Sequence, residues 1–150
     1  MIGISIGTRL IGLALIKHGS LVDWRMKVFK GSWSASKHAR ILNVLDEYMT
    51  TNNLSQIALK RPNRARTSEG LDQLTRSIID LAQRKKIPIR TVSIEELKDY
   101  YGSSTTKEDL ISYILKKYPE AGRTTQMTKK NFKYHIETIE AVALADLLNQ

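Results

Sequence analysis

Two groups of side chains in this 150-residue sequence have the types and spacing to do chemistry. The first is cationic. Arg61, Arg64 and Arg66 form a basic run directly after Lys60. Lys129, Lys130 and Lys133 form a second run, and Arg9 sits in an early turn. Clustered Lys and Arg suit a polyanion, because each phosphate they neutralise releases bound counterions. The plainer alternative is a solvated surface charge. The second group is Glu137 and Glu140, three residues apart and so on one face of any helix that carries them. With His135 they form a polar cluster among Ile136, Ile139 and Ala141; without context, such a pair reads more simply as a solvated face. Tyr100, Tyr101, Phe132 and Tyr134 could stack on unpaired bases. Core or dimer contacts are the simpler reading for the tyrosines.

Composition narrows the classes. Lys and Arg number 24 against 15 Asp and Glu, a net charge of +9 that favours an anionic partner. There is no cysteine, which excludes a disulfide scaffold, a thiol nucleophile and Cys-ligated metal. His18, His38 and His135 are scattered, with no zinc spacing. No apolar run approaches the ~20 residues of a membrane span, and the first residues carry no basic, cleavable leader pattern. The expectation is one soluble, cytoplasmic domain over 1–150 with no membrane partner.

Periodicity supplies the elements. Residues 2–7, 10–17 and 21–29 read as three strands joined by tight turns, hence an antiparallel meander. Ile41, Val44, Leu45, Tyr48 and Met49 make one helical stripe. Residues 55–60 and 87–92 read as two further strands. Between them, Ser68 caps a helix bearing Leu71, Leu74, Ile78, Leu81 and Ala82. Capping boxes are expected at 93–96 and at 105–108, each opening a helix. Residues 120–134 read as a basic surface loop, and 135–148 as the last helix. The order is β-β-β-α-β-α-β-α-α-α, an α/β fold with a mixed five-stranded sheet, three strands antiparallel and then parallel ones, flanked by helices. That order resembles the ribonuclease H-like folds.

Within that superfamily, residues 3–12, 56–60, 68–102 and 135–147 resemble the RuvC-type Holliday-junction resolvases, over nearly the whole chain. The resemblance implies a homodimer acting on branched DNA. It also implies two Mg²⁺ ions held by acidic side chains from the first strand, the fourth strand and the last helix, activating water at a phosphodiester. The last helix keeps Glu137 and Glu140, where the family mostly has Asp. Ser5 stands where the first-strand acid is expected, and Lys60 where the fourth-strand acid is expected. The implied site charge falls from about −4 to −1, too little to neutralise two dications that want hard anionic oxygens. We therefore expect Lys60 to pair with Glu137 or Glu140, no resident metal (Glu137 and Glu140 would be its ligands if there were one), and nucleic-acid binding through Arg9, Lys60, Arg61, Arg64, Arg66, Lys129, Lys130 and Lys133.

The alternative is an active Mg²⁺-dependent crossover-junction endodeoxyribonuclease with a rearranged carboxylate set, recruiting Glu69 or Asp72. Two other readings are weaker. Residues 3–12 also resemble the phosphate-binding first hairpin of actin and sugar-kinase folds, but those need two such domains. A YqgF-like nuclease of RNA processing shares the fold, yet residues 68–102 favour the RuvC type.

Overall fold

The structure is a computed structural model. It describes residues 1–7, 9–62, 68–102, 105–122 and 132–149, the side chains of 132–135 excepted. Arg64, Arg66, Lys129 and Lys130, and the side chains of Phe132, Lys133, Tyr134 and His135, lie outside the described set.

The meander forms as expected: β1 (Ile2–Ile6), β2 (Leu10–Lys17) and β3 (Ser20–Val28). His18 and Gly19 close the β2–β3 hairpin with φ of 51° and 77°, the left-handed conformation such a two-residue turn requires. Helix α1 (Ala35–Thr51) follows, capped by the Ser34 hydroxyl, and then β4 (Ile57–Lys60). Helix α2 (Glu69–Arg84) leads to β5 (Ile89–Val92). Helices α3 (Ile94–Tyr101), α4 (Lys107–Lys117) and α5 (Phe132–Leu148) complete the chain.

The sheet order is β3-β2-β1-β4-β5. The first three strands pair antiparallel, and β4 and β5 add in parallel, the mixed sheet of a ribonuclease H-like α/β fold. Strand alternation divides the core in two. Ile2, Ile4, Ile6, Ile57 and Leu59 pack with α1 and α2 on one face. Ala14, Ile16 and Ala58 pack with α3, α4 and α5 on the other.

Some boundaries differ from the periodicity reading. The parallel strands begin at Ile57 and Ile89, two residues later than expected. The second capping box joins Thr106 to Asp109, not Thr105 to Glu108, since Asp109 is the residue whose carboxylate reaches back to the cap N–H. Residues 120–134 are not wholly loop: Pro119–Gly122 form a 3-10 turn, and α5 starts at Phe132.

Candidate functional site

Period-2 alternation and register bring the first two site residues together. Gly3 pairs with Ala58 and Ile4 with Leu59 in the parallel β1–β4 ladder. One step further along that ladder sets Ser5 beside Lys60, on the face that α5 covers. Both lie at the carboxyl ends of parallel strands, where open α/β sheets place ligands.

Helix α5 supplies the acids, and two glycines set its height above the sheet. A Cβ on Gly3 would collide with the Ala141 carbonyl, and one on Gly12 with the Glu137 carbonyl. The helix backbone therefore rests directly on the sheet, along a strip of Gly and Ala. This close seat carries Glu137 and Glu140 down to Ser5 and Lys60.

The four side chains form one cluster. The Lys60 ammonium lies 2.5 Å from Glu140 Oε2 and 3.6 Å from Glu137 Oε2. The Ser5 hydroxyl reaches Glu140 Oε2 at 3.0 Å and also contacts Glu137 Oε2. Ser5 and Glu140 are fully buried, and the Glu137 side chain is 15% exposed. The glutamates are thus not a solvated face. Two converging carboxylates repel, and the ammonium between them offsets that repulsion. Burial by itself would lower the Lys60 pKa. Glu140 and then Glu137 outweigh it, and the net shift is upward, so Lys60 is held charged.

This donor set does not fit two divalent cations. Mg²⁺ takes oxygen ligands, and here a buried hydroxyl and an ammonium, which has no lone pair to offer, stand beside two carboxylates. Among the described residues no three His, Cys, Asp or Glu side chains gather as metal ligands. Glu69 and Asp72, at the start of α2, do not line the cleft above this cluster.

That cleft has a volume of ≈ 730 Å³. Glu137, Glu140 and Lys60 form its floor, and Arg9, Lys30 and Lys107 bring cations from three other segments. Leu10, Val28, Leu71 and Ile94 add apolar wall. Arg9 and Lys60 therefore line one cleft. Arg61 does not join them: it faces Glu96 at 3.7 Å and Thr91 at 3.5 Å, on the side of α3. Lys30 and Lys107 were not singled out from sequence. Each sits alone beside an element boundary, and only the tertiary fold shows that those boundaries meet.

Of the candidate aromatics, Tyr101 is held in a buried cluster. Tyr101 and Tyr118 donate to the buried Asp146 carboxylate at 2.8 and 2.6 Å, and Lys117 pairs with it at 2.8 Å, tying α3 and α4 to α5. Tyr100 remains 40% exposed beside Tyr101. His38 is half-buried, and its Nε2 lies 3.0 Å from Ser77 Oγ, because α1 and α2 pack together there. No helix among the described residues is long and apolar enough to cross a membrane.

Comparison with known proteins adds the fold family. No protein-family model matches the chain, and no curated protein matches it in sequence. Among solved structures it is similar to T. thermophilus RuvC in complex with Holliday junction substrate, with a TM-score of 0.73 and 16% identity over 97% of this chain and 90% of that one. A second Thermus thermophilus RuvC structure gives a TM-score of 0.73 and 15% identity, over 97% of this chain and 91% of that one. The fold is RuvC-like.

Proposed function

We propose that this chain is a RuvC-like binding protein for branched DNA that has given up two-metal hydrolysis. The observation that carries the reading is the Lys60 ammonium lodged between Glu137 and Glu140, at the foot of a cleft rimmed by Arg9, Lys30 and Lys107. The resident cation supplies part of the charge that metal ions would otherwise bring, so the acid pair is half offset with no ligand bound. The rim cations remain available to phosphates. A structural neighbour is described in complex with a Holliday junction, which makes a four-way junction the first substrate to try. Homodimerisation on a two-fold symmetric junction belongs to the same reading.

The test compares gel-shift affinity for a four-way junction and a linear duplex at two salt concentrations, alongside a nicking assay with Mg²⁺ or Mn²⁺. Preferential junction binding without cleavage is the expected result. Robust cleavage that Glu140→Ala abolishes overturns the loss of hydrolysis and favours the endonuclease with rearranged carboxylates. Failure to bind either DNA overturns the reading entirely. The Ser5→Asp/Lys60→Glu double variant refills both altered positions with acids. It is expected to gain Mn²⁺ affinity, read by isothermal titration, that the wild type lacks.

A further inference from the structure

Trp33 lies outside both hydrophobic clusters, and 37% of its surface is exposed. An indole left outside the core is costly to solvate, so what holds it there is informative. The ring lies on Gly70, the second residue of α2. A Cβ at Gly70 would come within 2.5 Å of Nε1 and 2.6 Å of Cε2. Trp33 also meets His38 edge-on, centroids 5.6 Å apart and planes at 83°, and His38 is itself fixed to Ser77.

The segment carrying Trp33 is pinned at several points. The Phe29 N–H donates to the Arg9 carbonyl at 2.8 Å, and the Lys37 ammonium donates to the Gly31 carbonyl at 2.9 Å. Ser34 then accepts from the Lys37 N–H as the cap of α1. The indole is thus presented in a preset position, which reduces the entropy lost on binding.

Trp33 does not itself line the cleft, but residues on either side of it in the fold do. Gly31, two residues before Trp33, lines the cleft, and so does Leu71, next to the glycine on which the indole rests. Lys30, three residues away, is one of the cleft's cations. An aromatic surface beside a cationic groove is the pairing that proteins use to hold unpaired nucleotides, the ring taking the base and the cations the backbone. A closed duplex offers the same phosphates but keeps its base faces stacked.

We propose that Trp33 is a stacking platform for an unpaired nucleobase, while Arg9, Lys30 and Lys107 hold the adjoining phosphates. The inference rests on the nucleic-acid reading above and names the feature that the site selects: an unstacked base next to the backbone.

The chain has two tryptophans, so the Trp24→Phe variant reports on Trp33 alone by its emission. This variant is titrated with oligothymidine and with a blunt-ended, fully paired duplex of equal phosphate number. Emission is expected to be quenched by oligothymidine and not by the duplex. Trp33→Ala is expected to weaken oligothymidine binding about tenfold, with Trp33→Phe recovering most of the loss. Gly70→Ala, which displaces the indole without removing it, is expected to weaken binding in the same direction. Circular dichroism checks that each variant is folded. If oligothymidine binds but Trp33→Ala and Gly70→Ala stay within twofold of the parent, the stacking role is overturned and the nucleic-acid reading stands. If neither nucleic acid binds the parent, a four-way junction is titrated: junction binding overturns the stacking role alone, and no junction binding overturns both readings.

Discussion

Lys60 is an alkylammonium under a helix, close to two acids, and its removal has a sign that can be worked out. Truncating one member of a buried ion pair leaves its partners uncompensated, at a cost of roughly 3–5 kcal/mol. The Lys60 side chain is 18% exposed, so Lys60→Met is expected near the low end, about 3 kcal/mol, by denaturant midpoint. Glu140→Gln in the same background is expected to restore part of that loss, because it removes the repulsion that the ammonium offset. A double-mutant cycle isolates this coupling. The pH dependence follows from the upward shift. A group with a raised folded pKa contributes fully below its unfolded value, and its contribution fades as pH climbs through the folded one. The stability gap between wild type and Lys60→Met is therefore expected to hold from neutral pH up to 10.5 and to narrow above it. The identities of Ser5, Lys60, Glu137 and Glu140 were legible in the chain through the order of the elements. Their mutual distances were not, because they depend on how low α5 sits. Lys30 and Lys107 left no local signal, since only the tertiary fold brings their segments to one cleft.

Helix α5 decides the site at the scale of elements, and its seat rests on absent side chains. At Gly12 the obstacle to a Cβ is the helix backbone at Glu137, which cannot rotate away as a side chain tip could. Gly12→Ala is expected to lift the helix. It should cost about 3 kcal/mol, the upper end for an overpacked core, and weaken the Lys60 coupling measured in the same cycle. The far end of α5 is held by Asp146, and tyrosines report on it. Burial first, and Asp146 next, push the Tyr101 phenol well above its ordinary range; Tyr118 is raised by the same two causes. Tyr48 is raised by burial and then by its bond to Asp23. All three must stay protonated in the fold, so their contribution is present below 10.0 and lost as pH rises beyond it. In Asp146→Asn, phenolate absorbance is expected to show Tyr101 and Tyr118 ionising earlier, with Tyr48 unmoved. Hydrophobic alternation and helical stripes made the element order readable. They could not fix where the parallel strands begin, because a flanking residue such as Ile87 carries the composition of a strand while its N–H closes the end of α2 on Ala82. Nor could the start of α5 be read, since its first residues are polar and basic, like the loop before them.

For the molecule as a whole, the net charge of +9 matters less than where the fold collects it. Arg9, Lys30 and Lys107 come from the β1–β2 turn, the end of β3 and the first residue of α4, and share one cleft. Arg61, although next to Lys60 in sequence, spends its charge on Glu96 outside that cleft. Counterion release converts this division into a measurement. Each phosphate-contacting cation contributes about 0.7 to the slope of log affinity against log salt for a single strand, and about 0.9 for a duplex. Replacing Arg9, Lys30 and Lys107 together by Ala is expected to flatten the oligothymidine slope by about 2. Arg61→Ala is expected to leave that slope nearly unchanged. Lys60→Met should change stability far more than slope, because its ammonium is held by the glutamates below the rim. Should Arg61→Ala flatten the slope as much as the triple replacement does, the nucleic acid lies along α3 and not in the cleft, and the division drawn from the fold is wrong.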